Sequence, residues 1–379
     1  MNLLSRKTGI LVAGLMIVVS CKGPDQVTFM DPQGVPPMPD PKGYVCYRNS
    51  DRIAIDGNLS EASWQEVPWT DYFADIEGSQ KPEPRFKTRA KMVWDDSCLY
   101  VGAILEEPHL WARLKQRDTI IFYDHDFEVF IDPDGDTHAY YELEVNALGT
   151  AWDLLLLKPY RDGGPAVFSW DIQGLQVGVH HEGTLNDPSD TDKGWSVEIK
   201  LPFSVLKECA PGAAYPVAGN QWRINFSRVE WRTLVENGSY AKEINPQTGK
   251  PWPEDNWVWS PQGRINMHMP EMWGFIQFSG LVAGQGSEEF RPDPDLPVKW
   301  ALRKVYYYQT AYVEKFQRYA RTLGELGLKE SDFPKEAGTI QMQAGDRCFE
   351  AWAPSRLSQY PLSISADGRL EHRMPVSKR

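Results

Sequence analysis

The chain has 379 residues, and its 52 acidic and 40 basic side chains give a formal charge of −12. No basic block interrupts the acidic balance, so there is no face to neutralise phosphates and a nucleic-acid partner is excluded. Hydrophobic content of 41% with 24% charged residues is that of a soluble globular protein, long enough for one full core and a small second unit.

The first 20 residues read as an export signal. Arg6 and Lys7 precede an apolar run, Ile10–Val19, that is too short to span a bilayer comfortably. Val18-Val19-Ser20-Cys21 then reads as a bacterial lipobox, which makes Cys21 the expected lipidation site. Residues 21–44 carry Pro24, Pro32, Pro36, Pro37, Pro39 and Pro41 with few large apolar residues, a tether rather than a core. An outer-membrane lipid anchor, a location in the cell envelope and envelope partner proteins follow as expectations.

From residue 45 to 290 the pattern is that of strands. Ile53–Gly57 reads as a short strand and turn, and Leu59–Trp64 as one helical turn with Ser60 as its cap. Phe86, Thr88, Ala90, Met92 and Trp94 alternate onto one face, and Leu99–Leu105 returns after Asp95-Asp96. Phe127–Ile131, Tyr140–Val145 and Trp152–Leu157 follow, then Trp170–Val179, Trp195–Leu201, Trp222–Trp231, Trp257–Ser260 and Gly274–Phe278. Strands without intervening helices predict a mainly β fold, an antiparallel β-sandwich of immunoglobulin-like or jelly-roll type. Two long irregular loops, Lys158–Phe168 and Asn237–Asn256, are of the length that usually carries function. After Arg291–Pro297 the period becomes helical from Leu302 to Leu323, with Gly324 or Gly327 to end it. Leu362–Ser365, Asp367-Gly368 and Arg369–His372 form a last hairpin. Residues 298–379 are thus a C-terminal helix with a small α+β appendage. Cys46, Cys98, Cys209 and Cys348 leave three disulfide connectivities open.

The chemistry-bearing residues gather between Asp124 and Leu157. Glu142, Glu144 and Asn146 share one face of a strand by period-two spacing. Glu128 stands on an otherwise apolar strand, where a carboxylate needs either Arg117 or Arg161 as partner or a ligand. Trp152 and Trp170 are platforms for a ligand or core residues, and Trp257 lies beside the second long loop. Fifteen tryptophans exceed what packing alone calls for, and indole faces stack on the apolar C–H faces of sugars. Asp132, Asp134 and Asp136 place hard oxygen ligands on alternate residues, which suits a structural calcium ion or a solvated turn. Glu128 and Glu144 as an acid/base pair would make the chain a hydrolase of O-glycosyl bonds. Met267-His268-Met269 and Met92 are candidate axial ligands for haem. No CxxC, nucleophile elbow, Walker or Rossmann pattern is present.

Five segments together resemble carbohydrate-binding module family 9. They are Ile55-Asp56-Gly57 with Glu61 and Trp64; Val93–Asp96 with Leu99–Val101; Asp126–Asp132; Gly194–Ile199 with Pro202; and Pro270–Gly274. The likeness is to family 9-like, DOMON-type sandwich lipoproteins of Bacteroidetes-type bacteria, over about Val45–Ser279. The resemblance implies capture of an oligo- or polysaccharide without catalysis, in support of polysaccharide breakdown. It also implies a sugar held between two aromatics, with Phe122 at the first clamp and Glu128, Glu142 and Asn146 as polar ligands. Glu144 stands where the family has a basic residue, and His268 where it has the second aromatic.

Overall fold

The computed structural model describes residues 35–36, 38, 40–210 and 212–374. The export signal, Cys21 and most of the tether lie outside these residues. A thirteen-stranded sheet carries residues 43–282. Its longer strands are β1 (Gly43–Arg48), β2 (Thr88–Trp94), β3 (Cys98–Glu106), β4 (Asp126–Asp132), β5 (Tyr140–Asn146), β6 (Ala151–Leu156), β7 (Gln176–Glu182), β8 (Gly194–Pro202), β9 (Gln221–Glu230), β10 (Asp255–Val258) and β11 (Gly274–Val282). The order along the path is β6-β5-β4-β9-β11-β1-β2-β3-β8-β7, with β10 on the far half of β9. The sheet folds over so that β6-β5-β4-β9-β11 faces β2-β3-β8-β7. β1 bridges the layers, pairing with β11 over most of its length and with β2 at its end. Both β1 pairings are parallel, in an otherwise antiparallel sandwich.

Alternation decides what the layers bury. Phe127, Val129 and Ile131 on β4 and Tyr141, Leu143 and Val145 on β5 meet Met92, Leu99, Val101, Val197 and Ile199 from the other layer. Each such side chain contributes about 1.5–3 kcal/mol when removed from water. The same alternation turns Asp126, Glu128 and Phe130 of β4, and Glu142 and Glu144 of β5, to the outer face.

Several local expectations change. Ile53–Gly57 is not a strand; it is held on β8, where the buried Glu198 carboxylate accepts from Asp56 N (3.0 Å), Gly57 N (2.8 Å) and Trp64 Nε1 (2.7 Å). Gly57 has φ +88, and a Cβ there would meet the His180 nitrogen at 2.4 Å. Ser60 does not cap the short helix Ala62–Glu66. Its first N–H groups donate instead to Asp51, from Ala62 and Ser63 at 3.1 Å each. Trp170–Leu175 makes turns, and the strand begins only at Gln176. The four described cysteines are free.

The appendage consists of α1 (Leu296–Phe316) against the sheet β12 (Gln341–Ala344), β13 (Phe349–Ala353), β14 (Leu362–Ser365) and β15 (Leu370–His372). Val298, Leu302, Val305 and Tyr312 pack with Ala351 and Ile364 in a core of their own. α1 ends at Gln317, which adopts φ 57 and caps Val313 O, before either glycine is reached. The appendage docks through Trp300, which packs on Met269 and Met272, and through polar contacts. Buried Arg303 donates to Thr137 Oγ1 (3.1 Å), Arg369 Nε to Asp136 Oδ2 (2.8 Å), and Leu370 N to Asp136 O (3.1 Å).

Glu198→Ala leaves two buried donors, Gly57 N and Trp64 Nε1, without an acceptor, each costing about 1–3 kcal/mol, and frees the part-buried Asp56 N. The melting temperature followed by circular dichroism is expected to fall by at least about 5 °C; an unchanged melt would remove Glu198 as the tie between the Ile53–Gly57 segment and the sandwich.

Candidate functional site

The outer face of β4, β5 and β6 forms the floor of a cleft of about 210 Å³. Its lining includes Phe122, Glu128, Phe130, Glu142, Glu144, Trp152, Tyr160, Glu254, Asn256 and His268. Register places the floor residues. Glu128 lies directly opposite Glu144 across the β4–β5 pair, Ser227 opposite Glu128, and Trp152 opposite Glu144. Facing side chains in such pairs have Cβ atoms ~4.5–5.5 Å apart. Six of the nine ligand residues expected from sequence therefore share one concavity: Phe122, Glu128, Glu142, Glu144, Trp152 and His268.

The walls are aromatic. Phe122 packs on Tyr123 with centroids 4.8 Å apart, and exposed Tyr160 meets the His268 ring edge-on at 4.5 Å. Phe168, 56% exposed, stacks on Trp152 at 5.8 Å with an interplanar angle of 11°. Both long loops line the cleft, the first with Tyr160, the second with Glu254 and Asn256, and Phe168 of the first touches it through Trp152.

The floor is acidic and its side chains are buried. Asp126, Glu128, Glu142 and Glu144 are all buried, and none enters an ion pair among the described residues. Burial, the largest cause, raises the pKa of every one. Mutual repulsion adds to it: Glu128 raises Asp126, and Asp126, Glu128 and Glu142 raise Glu144. Opposing it are single donors, Val229 N–H to Asp126 Oδ1 (3.2 Å) and Phe122 N–H to Glu144 Oε2 (2.9 Å). Glu128, with the Ser227 hydroxyl beside it, is pushed up to about 7. His268 goes the other way: burial and then Arg161 lower it to about 4, so the ring is neutral and in contact with the Tyr140 hydroxyl at 3.0 Å.

The arginines named as partners of Glu128 are engaged elsewhere. Arg117 binds Asp153 and Asp171, and Arg161 binds Glu271 at 2.9 Å. Three expected ligand residues also lie elsewhere. Asn146 is wholly buried; its amide donates to Leu114 O and Asp124 Oδ2 and accepts from Leu148 and Thr150, closing the turn between β5 and β6. Trp170 packs on Tyr141 at 4.9 Å and donates to Glu208 outside the cleft. Trp257 points into the sandwich core, edge-on to Phe86 and under Arg228. In the Asp132–Asp136 turn, Asp132 accepts from Gly135 N and Thr137 N, while Asp136 accepts from His138 N and Arg369. The fold accounts for that triplet as a turn and a docking point for the appendage. Met92 is buried in the sandwich core and His268 lines the outer cleft, so they do not form one axial pair.

Asp126, Tyr123, Tyr160, Phe168 and Glu254 were not singled out from sequence. Asp126 is two residues before Glu128, so period-two spacing alone puts it on the same face.

A carboxyl whose folded pKa is raised binds more protons folded than unfolded. Its contribution is fully present below the unfolded value near 4.3 and is lost as pH rises through the folded one, about 7 for Glu128. Glu144→Gln removes one of the crowded charges. In metal-free buffer the variant is expected to melt roughly 2–6 °C above the parent at pH 8 and to show no gain at pH 4.5; equal melts at both pH values would contradict the crowding.

Residues 55–225 match the model of the carbohydrate family 9 binding domain-like family. A family 9 carbohydrate-binding module from Caldicellulosiruptor kristjanssonii, solved with glucose, is 16% identical over 66% of this chain and 100% of its own, with a TM-score of 0.41. A second structure of such a module from that organism, with cellotriose, is 17% identical over the same shares with a TM-score of 0.40. A protein from Bacteroides uniformis ATCC 8492, named as a candidate carbohydrate-binding protein, is 16% identical over 63% of this chain and 99% of its own, with a TM-score of 0.45. The comparison with curated proteins returns no match. Residues 55–225 of this chain thus form a domain similar to the carbohydrate family 9 binding domain-like family.

Proposed function

We propose that the chain captures a glycan without cleaving it, with one sugar residue seated in the cleft between the Phe122–Tyr123 wall and the Tyr160–His268 wall. The observation that carries this reading is the combination of aromatic walls with a floor of carboxyls in a concavity of about 210 Å³. Sugars present apolar C–H faces to rings and hydroxyls to polar groups, and a cleft smaller than the ~300–1,000 Å³ of drug-sized sites suits a single ring. Protonated and ionised carboxyls side by side donate to and accept from hydroxyl groups. The sugars in the two Caldicellulosiruptor kristjanssonii structures, glucose and cellotriose, are consistent with this class of ligand.

Catalysis fits the floor less well. A glycosidase needs one ionised and one protonated carboxyl flanking the scissile bond. Here Glu128 and Glu144 lie side by side on one surface, crowded by Asp126 and Glu142, so none stands alone as an ionised nucleophile. In the cell, the reading extends to an envelope protein anchored through Cys21, where glycan capture supports polysaccharide breakdown. The lipobox-like Val18–Cys21 and the Pro-rich stretch after it are the support.

Titration with neutral oligosaccharides, followed by tryptophan fluorescence and calorimetry, tests the cleft. Phe122→Ala and Tyr160→Ala are each expected to weaken binding about tenfold, the loss of ~1 kcal/mol of ring contact. A chain that binds no glycan of a broad array, or binds equally after both substitutions, would refute it. Separately, Cys21→Ser is expected to move the expressed protein from the membrane fraction to the soluble one; an unchanged distribution would refute the anchor.

A further inference from the structure

Four groups of three acidic or histidine side chains bring ligand atoms within 4.8 Å of one another among the described residues. Three of them contain a guanidinium. Arg228 lies 2.8 Å from Glu107 and 2.9 Å from Glu230 in the group with His125. Arg117 joins Asp153 and Asp171 in the group with Asp118. Arg369 lies 2.8 Å from Asp136 in the group with Asp132 and Asp134. The fourth group, Glu128 and Glu144 on the cleft floor with the buried Asp126 beside them, has no basic ion-pair partner among the described residues.

Two polar atoms there are buried and without hydrogen bonds, Asp126 Oδ2 and Ser227 Oγ. Both residues are wholly buried, and Ser227 sits opposite Glu128 in the β4–β9 register, so its hydroxyl faces the carboxylates. Oxygen atoms spread over 4.8 Å suit an ion with ligand distances of ~2.3–2.6 Å. Uncompensated buried carboxylates are costly, and either protons or a cation relieves them.

We propose that Asp126, Glu128 and Glu144 bind a hard divalent cation of the calcium type at the floor of the cleft. Glu142, beside Glu144 on the same face, is positioned to add a fourth carboxylate. Calcium takes six to eight oxygens, so the remaining positions face the cleft and are open to water or to a ligand's hydroxyls. The inference rests on the carboxylate geometry and not on the sugar reading. Other charged or titratable groups near the floor are Glu254, Tyr160 and His268 lining the cleft, and Lys242 from the hairpin Thr233–Glu236/Ser239–Lys242. The Lys242 amine lies over Trp231 at 3.1 Å and makes no ion pair with the four carboxyls.

The test is calorimetric titration of the chelator-stripped full chain with calcium chloride, without sugar, at pH 7.5 in two buffers of different ionisation enthalpy. The expected result is saturable binding with proton release, because the carboxyls give up protons to the ion. Asp126→Asn and Glu144→Gln are each expected to weaken it at least about tenfold, while Asp134→Asn, in the arginine-paired turn, leaves it unchanged. Absence of binding up to millimolar calcium would overturn the proposal, as would loss in Asp134→Asn with retention in Glu144→Gln. Melting curves of each variant in chelator establish that it is folded, so lost binding is not read from a collapsed chain. Because the titration contains no sugar, its failure and the failure of glycan capture are separate results.

Discussion

The β4–β5 register brings four carboxyl groups onto one buried surface with no basic side chain paired to them among the described residues. Glu128 opposite Glu144 follows from Phe127, Val129, Leu143 and Val145 facing the core; a slip by one residue would send the acids into the sandwich and the apolar side chains out. The hydrophobic pattern thus imposes the electrostatic problem. Desolvation outweighs the few donors present, Phe122 N–H and Val229 N–H, and all four groups hold their protons more tightly than in water. A surface in that state is a poor source of stability and a good source of hydrogen-bonding variety.

Around this floor the walls are held by elements far away in sequence. Arg161 follows Tyr160 in the first long loop and pairs with Glu271, just after His268, so one buried ion pair fixes both members of that wall. Glu271, lowered to about 2 by Arg161 and Arg303 despite its burial, also accepts from Tyr307 of α1. Tyr306 reaches Asp162 in the same loop. The appendage therefore braces the loop that carries Tyr160 and does not stand apart as a second module. Supporting contacts of this kind hold a binding geometry in place.

The sandwich was legible because strand alternation is a local signal, and the strands from Thr88 to Asn146 fall where the pattern puts them. Glu128, Glu142 and Glu144 were legible for the same reason. What failed was non-local. Asn146 shares parity with Glu144, yet the turn to β6 captures its amide. Trp257 sits on a short strand whose facing depends on its register with Arg228, which nothing within the strand reveals. In the Asp132–Asp136 turn the three carboxylates do lie close together, but the pairing of Asp136 with Arg369, 233 residues away, is not visible in the local sequence. Tyr160 and Phe168 belong to a loop flagged by its length, but no periodicity assigns a direction to a loop side chain.

The contrast among the carboxylate groups carries the functional argument further than any single residue. The same chain sets an arginine against each of the other three acidic groups, Arg228, Arg117 and Arg369, each with a bond of the charge-assisted kind. An arginine at the cleft floor would have stabilised that group in the same way. Leaving it unbalanced costs folding free energy, and such costs concentrate where groups must stay available to something that arrives from solution. The three balanced groups lie outside the cleft lining, in an interior ion-pair network, at a strand–loop junction and in a docking turn. The unbalanced one lies under the aromatic walls, with Glu128, Glu142 and Glu144 lining an open concavity. Position and missing charge together point to the same surface.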